Sequence, residues 1–484
     1  MKRYLFYSLL VISCIALFYS CDKNSGNVTG IEPEEPNPPN TEGELQFPDK
    51  EMRAVWMATV WGLDWPQGEY NKALQREMYI SYLEKFKELN INAVFFQVKG
   101  MGDAYYNSSY EPWSEYITGT RGKDPGYDIL QFLIEEAHAR DIEFHAWMNP
   151  YRIATRANSS TTFPDLHSSV DPDWVKNYEG IQIYNPAIPE VRQRLKDIVK
   201  EMIENFDVDG IHFDDYFYPA GENLDDQDDY EKYGSEYNSI EDFRRANIDK
   251  AIKGVYDVIV QTKPEVVFSI GPTSNEEYNY NTLFADVEKW AKEGWVDVII
   301  PQLYQAISTG TNDFQARLNY WSRYKYEADL MVGHGYYKFG DPEMSAAFQS
   351  AKELEKQFKL TKRNDNVVGN ALYSAQYIIL NKVGVTDKLA EIYSNPAVIP
   401  FLGREVAAPP EQAKDVRIEE NEIHWISPDE ARSVVYYFSD EDSEGKVLAI
   451  TEKNTLSINK PGYYCVTVLN EDNVESEPSE LVNL

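Results

Sequence analysis

The chain has 484 residues, 43% of them hydrophobic, which suffices for one large core and a smaller one. Its formal net charge is -34, and a surface of that sign repels phosphate backbones, so nucleic acid is not an expected partner. Only three cysteines occur, Cys14, Cys21 and Cys465. With Cys14 in an apolar leader and Cys21 expected to carry a lipid, only Cys465 would remain free, so the mature chain is expected to have neither an intramolecular disulfide nor a Cys-based metal site.

In chain order, Lys2 and Arg3 precede an apolar stretch reaching to about Phe18, and Ser20-Cys21 follows. This is the pattern of a secretory signal over residues 1–20. The small residue before Cys21 and the polar stretch after it resemble a bacterial lipobox, with Phe18 in place of the usual Leu. A lipidated Cys21 would begin the mature protein and bind it to a membrane; plain cleavage would instead give a free secreted enzyme. Residues 21–48 read as a tether, Pro-rich, acidic and poor in large apolar side chains, too polar to fold. No other stretch is apolar enough to span a bilayer.

From about residue 49 to 405, short apolar runs alternate with amphipathic segments. Strands are expected at 53–60, 92–99, 142–148, 209–214, 266–271, 296–302, 329–335 and 366–374. Between them, Leu74, Met78, Tyr82, Phe86 and Leu89 recur at helical steps, as do Val191, Leu195, Ile198, Met202 and Phe206. About eight strand–helix units predict an α/β fold, a (β/α)8 TIM barrel; an open doubly wound sheet is the alternative. No Gly-rich phosphate loop follows a strand, which counts against a nucleotide-binding version, and no cofactor is expected.

Beyond Ala407-Ala408-Pro409-Pro410, short strands near 416–418, 422–426, 433–438, 447–450 and 462–468 have β-sandwich spacing. The ending Tyr464-Cys465-Val466-Thr467-Val468 resembles a fibronectin type III domain, with Trp425 in its early core position. Residues 406–484 are therefore expected to form an all-β spacer or docking module without chemistry of its own.

A barrel of this kind carries its active site at the C-terminal ends of its strands. Polar and aromatic residues gather there: Gln97 and Lys99 on the second strand, then His145, Trp147, Asn149, Tyr151 and Arg152 on the third. His212, Asp214, Asp215 and Tyr216 follow on the fourth, Gln302 and Tyr304 on the sixth, and His334 on the seventh. Alternation along the fourth strand puts His212 and Asp214 on one face and Phe213 opposite, with Gly210 leaving room below. An Asp in a barrel mouth costs free energy unless partnered. It either caps the next helix or pairs with Arg152, or it is a carboxylate that attacks or stabilises an anomeric carbon.

Glycoside hydrolysis normally uses two carboxyl groups. Asp215 is the first candidate for the second, provided the strand has ended by then; Glu111, Asp124, Glu276 and Glu277 are the others. His145 and His212 near two aspartates could ligate a metal, but they lack a spacing motif and sugar hydroxyls explain them equally well, so no metal site is assigned. Arg53 opens the first strand at the barrel's bottom, where structural pairing is expected. No Gly-x-Ser-x-Gly elbow occurs, which argues against a serine esterase.

Across residues 50–400 the chain resembles the glycosyl hydrolase-like 10 family. The resemblance rests on Arg53-Ala54-Val55-Trp56 with Asp64-Trp65-Pro66, on Pro112-Trp113-Ser114, and on the run from His145 to Arg152. It rests further on Asp209-Gly210-Ile211-His212-Phe213-Asp214-Asp215-Tyr216-Phe217-Tyr218-Pro219 and on Pro301-Gln302-Leu303-Tyr304. It implies a barrel glycoside hydrolase, often an exported lipoprotein of the bacterial cell envelope, acting on peptidoglycan glycan strands stripped of peptides. The fourth-strand run is also similar to that of alpha-amylase-like barrels, but His212 replaces their Arg and no Glu ends the fifth strand. Against the chitinase pattern, Tyr216 stands where the catalytic Glu would be.

The expectation is a monomeric polysaccharide hydrolase with Asp214 as nucleophile or stabiliser and Asp215 as acid. A catalytically weak glycan-binding lipoprotein using the same cleft is the second reading, and a scaffold acting through the C-terminal sandwich is the third.

Overall fold

The computed structural model describes residues 45–156, 161–178, 180–221, 224–404, 407–428 and 431–484. The expected signal, the lipidation site at Cys21 and most of the tether lie outside them.

Eight parallel strands close into a barrel in simple sequential order. They are β1 (Met52–Met57), β2 (Ala93–Lys99), β3 (Glu143–Met148), β4 (Gly210–Phe213), β5 (Val267–Ile270), β6 (Val298–Ile299), β7 (Asp329–His334) and β8 (Val367–Tyr373). Helices follow most strands, among them α1 (Lys72–Glu88), α2 (Ile129–His138), α3 (Pro189–Asn205), α4 (Ile240–Thr262), the short α5 (Val287–Lys292), α6 (Phe314–Tyr324) and α7 (Lys352–Lys362). Most of these starts have a local cause. The side chains of Asn71, Asp128 and Ser239 accept hydrogen bonds from first-turn amides, and Pro189 opens α3 where no donor is needed.

The period-2 alternation of the strands sorts their residues into two cores. Ala54, Trp56, Ala93, Phe95, Trp147, Val298 and Met331 fill the barrel's interior. Val55, Val94, Phe96, Phe144, Ile211 and Phe213 face the helices instead. Of the face expected for α1, Tyr82, Phe86 and Leu89 are buried and Met78 is half-buried, but Leu74 is exposed and Gln75, Tyr79 and Leu83 are buried as well. Gln75 takes the inward place at the start of the helix, where its Nε2 donates to Glu69 O at 2.6 Å and Ile117 O at 2.8 Å. The α3 face is as expected, with Val191, Leu195, Ile198 and Met202 buried. A small antiparallel sheet of Arg152–Thr155, Val175–Asn177 and Ile181–Tyr184 fills the loop between β3 and α3. Arg53 lies at the barrel's floor as expected, donating to Glu51 Oε2 at 2.9 Å and Asn395 O at 2.7 Å.

The C-terminal region is a sandwich of a three-stranded and a four-stranded antiparallel sheet. Its strands are β9 (Lys414–Glu419), β10 (Glu422–Ile426), β11 (Arg432–Phe438), β12 (Lys446–Thr451), β13 (Thr455–Ser457), β14 (Tyr463–Leu469) and β15 (Val482–Asn483). Trp425 is buried and donates to Ser433 Oγ at 2.9 Å, and the Tyr464 hydroxyl donates back to Lys460 O, a tyrosine corner. This domain is docked on the floor of the barrel. Asn473 Nδ2 donates to Glu143 Oε1 at 2.8 Å, Lys50 pairs with Glu475 at 2.8 Å, and Val398 shares a cluster with Val434, Tyr436, Phe438 and Val447.

Candidate active site

β4 ends at Phe213, and the chain turns immediately afterwards. Asp214 keeps the inward direction of His212 and points into the barrel mouth, 4% exposed. Three residues donate to it. Trp147 Nε1 reaches Oδ2 at 3.0 Å, Asn149 Nδ2 reaches both oxygens at 3.3 and 3.4 Å, and the Tyr216 amide reaches Oδ1 at 3.3 Å. The Asn149 amide cannot flip, because its Oδ1 accepts from the backbone of Tyr151 at 3.2 Å and Arg152 at 2.8 Å. Burial nevertheless dominates. It pushes the Asp214 carboxyl from 3.8 up to about 7, against the pull of Arg152 and the Trp147 hydrogen bond and helped by the nearby Asp215.

Because the strand has ended, Asp215 does not turn to the outer face. Its Oδ1 accepts from Gln302 Nε2 at 3.1 Å, and the same nitrogen donates to Gly271 O at 2.9 Å. Surrounding protein also raises the Asp215 carboxyl above the usual range. The Arg152 guanidinium lies 4.3 Å from the centroid of the half-exposed Tyr216 ring and donates to Gly100 O, so it acts on the two carboxyls through space rather than as a direct ion pair. A tyrosine wall stands beside them. Tyr304 and Tyr373 stack at 6.0 Å between centroids, and Tyr337 meets each edge-on at 5.9 and 6.0 Å.

Trp147, Asn149, Arg152, Asp214, Asp215, Tyr216, Gln302 and Tyr304 are thus brought together, and the other candidates lie elsewhere. His334 points out of the barrel, fully buried against Phe314 and Phe358, with its nitrogens 2.9 Å from Gln357 Oε1 and Asn370 Oδ1. Alternation along β7 turns it outward. His145 sits near the floor, with Nε2 3.0 Å from Glu143 Oε2. His212 is one layer below Asp214: its Nε2 accepts from Trp56 Nε1 at 3.1 Å, so its Nδ1 donates to Ser269 Oγ at 2.8 Å. Burial holds that imidazole neutral, well below its usual range.

Gln97 and Lys99 support the mouth from behind. Gln97 Oε1 accepts from the amides of Thr59 and Val60 at 3.0 and 2.9 Å, and Lys99 Nζ donates to Met101 O at 2.9 Å and Asn149 O at 3.2 Å. Tyr151 is buried in the outer core. Of the alternative carboxylates, Glu111 is buried against the Tyr184 hydroxyl at 2.9 Å, Glu276 binds Arg317, and Asp124 caps its own turn. Asp64, not assigned a role from the sequence, accepts from Ala58 N at 2.7 Å, Ser374 Oγ at 2.8 Å and Gln376 N at 3.0 Å, fastening the loop after β1 to that after β8. Its place in the Asp64-Trp65-Pro66 motif was the available signal. Tyr337 had none, being one of many tyrosines.

A family model for glycosyl hydrolase-like 10 matches residues 51–349. The chain belongs to the glycosyl hydrolase-like 10 family. It is 32% identical to glycosyl hydrolase YngK of Bacillus subtilis over 89% of this chain and 93% of that one. It is 31% identical to glycosyl hydrolase DigH of Escherichia coli K12 over 76% of this chain and 92% of that one. The PgaB (BpsB) glycoside hydrolase domain from Bordetella bronchiseptica overlays 71% of this chain and 98% of its own at a TM-score of 0.48 and 11% identity.

Proposed function

We propose that this glycoside hydrolase-like protein cleaves a bacterial cell-wall polysaccharide, peptidoglycan glycan strands freed of peptides, with Asp214 and Asp215 as its two carboxyls. The observation that carries this is Asp214 itself, a buried carboxyl raised to about 7, beside a second carboxyl in an aromatic-walled mouth. A group that still holds its proton near neutral pH suits donation to the glycosidic oxygen, which favours assigning the two roles the other way round from the sequence expectation. Asp214 is the acid; the carboxylate left after donation is met by Trp147, Asn149 and the Tyr216 amide. Asp215, held by Gln302, is assigned to the anomeric carbon, as nucleophile or as the base for water. Tyr216 and Tyr304 supply flat faces for sugar rings.

Asp214→Asn is expected to lower kcat on peptide-free glycan strands by about a thousandfold or more, measured by release of reducing ends. Turnover near wild type would rule out this mechanism. The leader ending at Ser20-Cys21 supports export and lipid anchoring at the envelope where this polymer lies. Cys21→Ser is expected to move the protein from the membrane fraction to the soluble one, read by fractionation and immunoblot.

A further inference from the structure

We propose that Trp61 forms an outer sugar subsite, a stacking platform for the apolar face of a pyranose ring on the side of the mouth opposite Asp214. This deepens the glycan-hydrolase reading and rests on it. Trp61 is the one tryptophan of the ten that is largely open, 44% exposed, in the loop leaving the C-terminal end of β1. The others are buried or half-buried.

Its display is enforced by the backbone. Trp61 has φ 57° and ψ 17°, a left-handed conformation that bulky side chains adopt only where the surroundings dictate it. Gln97 Oε1 holds the Thr59 and Val60 amides, Thr59 Oγ1 donates to Gln97 O at 2.7 Å, and the Tyr105 hydroxyl donates to Thr59 O at 3.1 Å. On the far side of the residue, Gly62 N closes back on Thr59 O at 2.8 Å. A loop so tied presents the indole to water on a fixed backbone, so a ligand need not order the loop to bind there.

β1 and β4 are three strands apart in a ring of eight. With strands spaced about 4.8 Å and tilted about 36°, their ends face each other across roughly 14 Å. That gap exceeds one pyranose ring, so only an oligosaccharide lying across the mouth reaches Asp214 and Trp61 together. Tyr70, 56% exposed with its ring against Gly119, flanks the short helix Glu115–Thr118 that packs on the Trp61 loop and extends the path outward. The platform is uncharged and suits the C–H face of a β-linked pyranose.

The test uses the full-length protein with peptide-free glycans of two lengths, a disaccharide too short to span the gap and strands of ten or more sugars. Trp61→Ala is expected to reduce kcat/KM about tenfold on the long strands, mainly through KM, with a clearly smaller loss on the disaccharide. Trp61→Phe keeps most of the wild-type value. In the Asp214→Asn background, calorimetry should show about tenfold weaker binding of long strands when Trp61→Ala is added. Equal losses at both lengths, or unchanged binding, overturn the subsite. Length-dependent binding together with full activity of Asp214→Asn would sink the catalytic assignment alone. No binding of any strand by Asp214→Asn overturns both.

Discussion

Asp214 shows how one residue's chemistry follows from its surroundings. Four donor contacts from three residues favour its charged form, yet removal from water outweighs them and leaves the carboxyl at about 7. The sign of the consequence follows from linkage. A carboxyl whose folded value is raised favours the fold at pH below its ordinary value of 3.8, and that advantage is lost as pH rises through about 7. Asp214→Asn, which keeps the acceptor and removes the charge, is therefore expected to unfold at a higher temperature than wild type at pH 8.5, with the difference shrinking towards pH 4. The shift from 3.8 to about 7 sets an upper bound of roughly 4 kcal/mol. Thermal melts across pH check it. The same proton gives kcat/KM an alkaline limb near pH 7.

At the scale of the element, β4 is the strand on which the site depends. It is four residues long, and its first, Gly210, lies beside His145 across the pair. A Cβ at 210 would come within 2.1 Å of His145 Nδ1, so the side-chain-free position is what admits the imidazole. Gly210→Ala is expected to cost about 3 kcal/mol or more in urea unfolding, with part of the loss recovered by adding His145→Ala. The inward set of β4 was legible in the sequence, because alternation is a local property. Its end was not. Whether Asp215 faced the mouth depended on where pairing with β3 and β5 stopped, and that is a fact about neighbours far along the chain. The same limit explains His334: the strand was legible, but the face it presents depends on the register of β7 within the barrel.

Across the whole molecule, the sandwich forms one compact unit with the barrel over Leu45–Leu484. The sequence pattern leaves a spacer and a docking module equally open; in the structure the domain covers the barrel floor through Asn473 and Glu143, Lys50 and Glu475, and the apolar cluster around Val398 and Leu45. Phe47 adds edge contacts to Tyr436 and Phe438 at 4.8 and 5.6 Å. Removing residues 407–484 is expected to expose this surface and lower the melting temperature of the barrel by more than about 5 °C by calorimetry. A barrel that melts unchanged would mean the floor contacts contribute nothing to its stability.

Eight strands, the order of strand and helix, the inward carboxyl at Asp214 and a second, all-β domain are legible along the chain. Each of these is written in a period of two or three to four residues, or in turn chemistry, and needs no partner to be read. Only the closed barrel shows that Asp215 joins Asp214, that His145, His212 and His334 do not reach the cleft, that burial raises the Asp214 carboxyl, and that the sandwich covers the floor. Those depend on burial and on pairing between residues distant in the chain, quantities that exist only once the barrel has closed.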